Sequence, residues 1–555
     1  MITDSNPHPQ PANPWIVRTT TGLVKGHAEN GVAAFRGIPY AEKPIGARRF
    51  RRAVPIAPWE GVLGADQSGD ACSQYRPARK SPGNWEGTED CLWLNVVAPR
   101  PASTGAGHST TPPAVDPSAG LPVVVYFHGG SNVHGSANKP LLSGEYFAQA
   151  IDCVYVAVNY RVGIFGQLGL GEGTFTPEGM DTNPGHSDLL VALRWVRDNV
   201  RAFGGDPDRV TIMGESSGGS MVTALLATPA AEGLFSAAIA QSPAPMIVHT
   251  KANAKYWTDF AARWLHRMRA EESLPLDQRT PVNQAPPELT DAELKSATAD
   301  LLSAEHAILA RLSDEMVRFH ADTPISKAGP LAPMVDGDLL PQHPLSPGAM
   351  MDIPLLIGSN RNEYDMMLLE PKRNSLQYSR SRTFANAISG SAEQAADILE
   401  RHYGGPKSRK LKGRFFGDAL FTGPSWYLAQ NHPSDRAWVY RLDTTTPFLR
   451  VTGMGAVHAL DLPILFQRYD QDKGRMAVLL GGRKQMRATT AAMQSRWRQF
   501  VHSHDPGFDP YSLGFATQIF DATFPTGEHT TYDPQPELRE AWESVQWDKQ
   551  EEMFD

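Results

Sequence analysis

With 555 residues, of which 41% are hydrophobic and 9% aromatic, the chain can bury a large core and carries no fibrous or low-complexity signature. A formal net charge of -8 excludes a basic footprint for nucleic acid, and three cysteines are too few for a disulfide scaffold. No apolar run approaches the ~20 residues that span a bilayer.

Residues 1–15 are polar and rich in proline, which predicts a loose N-terminal arm. That segment has neither a basic region nor an apolar core of the secretory kind. The chain also has no Asn-x-Ser/Thr sequon. Both features lead to the expectation of a cytoplasmic protein of bacterial origin.

From Trp15 to Arg100, short β-like stretches alternate with Gly and Pro turns, and the last of them is Leu92–Val97. Residues 100–122 are rich in Pro, Ser, Thr, Gly and Ala. They read as a connection between strands, because an apolar run resumes at once with Val123–Phe127. This run, with Val154–Val158 and Val210–Met213, is apolar without alternation, the mark of strands covered on both faces. Between the last two, Leu189, Leu193, Val196, Val200 and Phe203 recur at helical spacing, and Gly204-Gly205 supplies a stop. A further helical stretch is expected from Ser220. The βαβα alternation implies a mostly parallel sheet flanked by helices. Later strands are expected at Ile353–Ile357 and Trp438–Leu442, and a charged, helix-prone insertion at about 250–330.

Gly214-Glu215-Ser216-Ser217-Gly218 follows one of these buried strands and precedes a helix. A serine hydroxyl is a poor nucleophile and must be presented on a sharp strand-to-helix turn where a base can reach it. Alone, the pattern also describes a glycine-rich helix start, and Ser217 is a neighbouring hydroxyl. The strand before it and the helix after it favour Ser216 as nucleophile. His128-Gly129-Gly130-Ser131 likewise follows a buried strand. Its backbone N–H groups at Gly130 and Ser131, with that of Ser217, are candidates to meet the negative charge that acyl transfer places on a carbonyl oxygen. His128 and His134 flank this loop as structural or pocket-lining residues, since they precede the serine.

Several segments resemble the type-B carboxylesterase/cholinesterase family: Phe35–Ala41, Glu89-Asp90-Cys91-Leu92-Trp93-Leu94-Asn95, NYRVGIFG, FGGDPDRVTIMGESSGG and FSAAIAQS. The resemblance runs from about residue 17 to 525. It implies an α/β-hydrolase fold in a single domain over 16–555, with the helical insertion over the active site. It also implies a carboxylic ester hydrolase that needs no metal or organic cofactor and takes a small-molecule ester. In the family the acid is a glutamate after a strand. Here Glu363 follows IPLLI in that position, with Asp365 a rival on the same loop. The family base lies in G-x-x-H-x-x-[DE]-[LI], which Gly455–Leu462 fits, so that among 17 histidines His458 is implied. Amidase, lactonase or carbamate hydrolysis by the same triad stays open. A catalytically dead binding protein would have lost one of the three residues.

The chain departs from the family in three places. Ser131 stands where a third oxyanion glycine is usual, and Ser217 where Ala is more common. Cys72 and Cys91 match a pair that is bonded in secreted members, so that a disulfide and two buried thiols are both open readings. Cys153 reads as a small buried apolar residue. The interval 73–90 is short and polar, with Trp85 as its one tryptophan. It resembles neither the apolar lid of family lipases nor the aromatic cage of a choline site.

Overall fold

The computed structural model describes residues 13, 15–75, 85–99, 115–275, 278–322, 329–366, 385, 393, 397–405, 408–545 and 547. The expected arm at 1–15 and the connection at 100–122 lie largely outside the described residues, as does much of 73–90.

An 11-stranded sheet organises the molecule. Its strands in chain order are β1 (His27–Glu29), β2 (Val32–Pro39), β3 (Trp93–Pro99), β4 (Leu121–Phe127), β5 (Val154–Val158), β6 (Gly205–Glu215), β7 (Ala237–Gln241), β8 (Leu355–Asn360), β9 (Ala437–Leu442), β10 (Ala516–Phe520) and β11 (Glu528–Tyr532). Across the sheet they run β11-β10-β9-β8-β7-β6-β4-β5-β3-β2-β1. The stretch from β5 through β4 and β6 to β10 is parallel. The strands outside it pair antiparallel.

The unbroken apolar runs are explained by the two faces of this sheet. Successive side chains on a strand point to opposite faces. Val123, Val125 and Phe127 of β4 enter one core cluster, while Val124 and Tyr126 enter the other. On the first face pack α1 (Pro184–Asn199), through Leu189, Leu193 and Val196, and α2 (Ser217–Leu226), through Met221, Val222 and Leu225. The insertion contributes α3 (Lys251–Ala270), α4 (Asp291–Ser303) and α5 (His306–Asp322). A capping box between Thr290 and Glu293 opens α4. On the second face α6 (Arg483–Ser503) buries Met486, Met493, Trp497 and Phe500.

Boundaries differ from expectation in instructive ways. Helix α1 begins at Pro184, whose fixed φ suits the first helical turn, and its last expected turn, Val200–Phe203, is a 3-10 helix closed by Gly204 at φ 86°. Helix α2 begins at Ser217 rather than Ser220, because Ser216 itself occupies the cap. Cys72, Cys91 and Cys153 are buried free thiols. The Cys91 thiol is pushed well up by its hydrogen bond with Cys72 and by burial.

Candidate active site

The parallel register brings the carboxyl ends of neighbouring strands level: Gly214 sits beside Phe127, Gln241 beside Glu215 and Gly358, and Asn360 beside Leu442. In open α/β sheets this edge is where ligand sites gather. The loops that leave it carry the residues singled out in the sequence.

Ser216 turns the chain between β6 and α2 at φ 58° and ψ -126°, a region that costs a non-glycine residue ~1–3 kcal/mol. The neighbours hold it there. Its N–H donates to the Gln241 carbonyl at 2.9 Å, and its own carbonyl accepts from Ser220 N–H at 2.9 Å. A Cβ at Gly218 would stand 2.1 Å from the Phe127 carbonyl oxygen, so only glycine lets the helix start come this close to β4.

Beside this turn, the loop after β4 is equally crowded. Gly130 adopts φ 135°, and a Cβ there would meet the His134 carbonyl oxygen at 2.0 Å. Ser131 stands in the left-handed region at φ 57°, so that the serine takes the backbone state a glycine would adopt freely. Among the described residues, the N–H groups of Gly130, Ser131 and Ser217 have no acceptor in the protein. The loop is braced from outside: Gln74 donates to the Gly135 carbonyl and accepts from Gly135 N–H, each at 3.0 Å. His134 lies 4.0 Å from Asp314 of α5. His128 is buried and stacks on Tyr160 with ring centroids 4.5 Å apart. Ser217 is also buried, and its hydroxyl interacts with the Tyr160 side chain.

His458 reaches in from the loops beyond β9. Its Nε2 lies 2.9 Å from Ser216 Oγ, and its Nδ1 lies 2.6 Å from Glu363 Oε2. A carboxylate only accepts, so the Nδ1–H donates to Glu363 and leaves the Nε2 lone pair facing the serine hydroxyl. The other oxygen of Glu363 accepts from Ser242 Oγ and from Asn360 N–H, both at 2.6 Å. Three donors thereby satisfy a buried carboxylate. Its rival Asp365 instead accepts from Asn362 Nδ2 at 2.7 Å. The imidazole stacks on Phe421, with centroids 4.7 Å apart.

Other acidic groups crowd the site without having been singled out in the sequence. Glu215 Oε1 lies 3.3 Å from His458 Nε2. Asp461 accepts from Gln241 Nε2 at 2.5 Å. Burial pushes the Glu215 carboxyl up to about 7 and that of Asp461 to about 6. Burial pulls His458 down, yet the carboxylates of Glu215 and Glu363 outweigh it, and the imidazole titrates above its ordinary value. Asp461 holds the acidic position of the G-x-x-H-x-x-[DE]-[LI] segment, and Glu215 immediately precedes the serine. Those positions are the only sequence signals that could have drawn notice to them.

Comparison with known proteins adds kinship to this geometry. Residues 13–551 match the carboxylesterase family. A para-nitrobenzyl esterase of Bacillus subtilis (strain 168) is 33% identical over 516 residues, covering 88% of this chain and 90% of that protein. A phenmedipham hydrolase of Pseudarthrobacter oxydans is 30% identical over 511 residues, covering 89% and 91%. A solved PNB esterase structure superposes with a TM-score of 0.76 at 30% identity, covering 96% of this chain and 99% of that one.

Proposed function

The chain belongs to the carboxylesterase family, and on that premise we propose that it hydrolyses carboxylic esters of small to medium acyl groups through an acyl-enzyme on Ser216. The observation that carries the proposal is His458, within hydrogen-bond reach of Ser216 Oγ at 2.9 Å and of Glu363 at 2.6 Å. Neutral His458 accepts the proton of Ser216 Oγ as the oxygen attacks the ester carbonyl. Glu363 keeps the imidazole in the productive tautomer and stabilises the imidazolium that forms. The carbonyl oxygen, now anionic, is met by the N–H groups of Gly130, Ser131 and Ser217, which have no acceptor among the described residues. The imidazolium returns its proton to the departing alkoxide, and the alcohol leaves. A water activated by the same histidine then releases the acid and regenerates Ser216.

Hydrolysis of p-nitrophenyl butyrate by the wild type and by Ser216→Ala tests this reading. The variant is expected to lose ~10^4-fold or more in kcat while staying folded. Near-wild-type turnover in the variant would remove Ser216 from the mechanism. A parallel panel of an amide, a lactone and a carbamate fixes the leaving group, because the same three residues could serve each of them. Amide turnover far above that of the short esters would overturn the ester preference.

A further inference from the structure

The peptide that carries His458 is pinned at both ends. Its N–H donates to the Glu363 carbonyl at 3.2 Å, and its carbonyl accepts from the ammonium group of Lys473. The next residue, Ala459, is left-handed at φ 59°. The chain after His458 thus turns out of a regular path, and its carbonyl finds a partner outside its own turn. Lys473 arrives from the helix Asp472–Ala477, fifteen residues further on.

The charges around the imidazole are lopsided. Glu215 faces it from the end of β6 and Glu363 from the loop after β8, with uncharged Phe421 against its ring, and Asp461, at the start of the helix Asp461–Leu465, interacts with it through charge. Lys473 acts on the imidazole in the opposite sense to Glu215 and Glu363. Its own amine is pushed down by burial, against the pull of Glu215, Glu363, Asp461 and Asp472. Lys473 is half-buried, and its ammonium group reaches the site through this hydrogen bond and through its charge.

We propose that Lys473 is a positioning residue for His458, fixing the carbonyl of its turn and offsetting the carboxylates around the imidazole so that the neutral base persists to a lower pH than it would without the lysine. The proposal rests on the reading of His458 as the base. The sign follows from charge alone: removing a nearby cation favours the imidazolium, so the base is lost to protonation at a higher pH.

The test compares Lys473→Met, Lys473→Gln and Lys473→Arg with the wild type, using p-nitrophenyl butyrate from pH 5.5 to 9. Active sites are counted by titration with a phosphonate ester, so that misfolded protein drops out of the comparison. In Lys473→Met the acid limb of kcat/KM is expected to move up by about one pH unit. At pH 8 its kcat is expected to fall about tenfold with KM nearly unchanged. Lys473→Gln keeps a donor but no charge, so the limb moves while part of kcat returns. Lys473→Arg restores the wild-type limb. A limb that stays at the wild-type position in both Lys473→Gln and Lys473→Met, whatever happens to kcat, overturns the proposal. If Lys473→Met does not fold, Lys473→Gln against Lys473→Arg decides alone. A failure of the base assignment is separate, because it would appear as retained activity in His458→Ala.

Discussion

The loops after β4 and β6 hold their shape by main-chain crowding, whereas the loops that bring Glu363 and His458 hold theirs by side-chain hydrogen bonds and charge. At Gly218 and Gly130 the space for a Cβ is already taken by carbonyl oxygens of Phe127 and His134. At Glu363 the carboxylate is fixed by Ser242, Asn360 and His458, whose side chains or amides come from three separate segments. The first half of the site therefore leaves no room for a Cβ at its glycines. The second half tolerates neither the loss of a charge nor the loss of a donor. The turns at Ser216 and Gly130 depend on backbone shape, and the Glu363–His458 contact depends on residue identity.

Substitutions sharpen that contrast. The largest effect outside the proposed nucleophile itself is expected for Glu363→Gln, which keeps the shape and removes the charge. Its kcat should fall ~10^3–10^4-fold with a modest change in KM, as when an orienting acid loses the power to set the tautomer. A loss below ~10-fold in stopped assays would place the acid elsewhere. Gly218→Ala adds one methyl group where 2.1 Å is available. The displaced turn should cost ~100-fold in kcat/KM, with thermal unfolding at a lower temperature than the wild type. Ser217→Ala should be the mildest. It removes a buried hydroxyl that interacts only with the Tyr160 side chain among the described residues and leaves the N–H in place. Activity should stay within ~3-fold, and stability should change by no more than ~1 kcal/mol. If Ser217→Ala proved more damaging than Gly218→Ala, the division between backbone and side-chain halves would fail.

The same division governs how much could be read from the amino-acid sequence. Strands β4, β5 and β8 announce themselves as apolar runs, because covering by two cores removes the need for alternation. Strand β7, Ala-Ala-Ile-Ala-Gln, has too many small residues to read as a strand by propensity and was visible only within the segment FSAAIAQS. The edge strand β11 and its neighbour β10 are short and contain polar residues, so no apolar run marks them. Strand β6 begins five residues earlier than its apolar part. It runs through Gly205–Arg209, a polar stretch that reads as a turn, and its register shifts there. Ser216, Gly130 and Ser131 stand in local patterns whose backbone demands are written in glycines. Glu363 and His458 lie 95 residues apart, and no local pattern joins them. They were identified through family resemblance. Lys473 carried no signal at all, since its role depends on a turn that only the folded chain makes.

The proposed mechanism turns on attack of Ser216 Oγ on the ester carbonyl. The most direct measurement treats the native enzyme with a stoichiometric p-nitrophenyl alkylphosphonate, then follows residual activity, intact mass and the modified peptide together. One adduct per chain is expected, on the peptide that contains Ser216, growing in step with the loss of esterase activity. Activity lost while Ser216 remains unmodified, or Ser216 fully modified with activity intact, would contradict the mechanism.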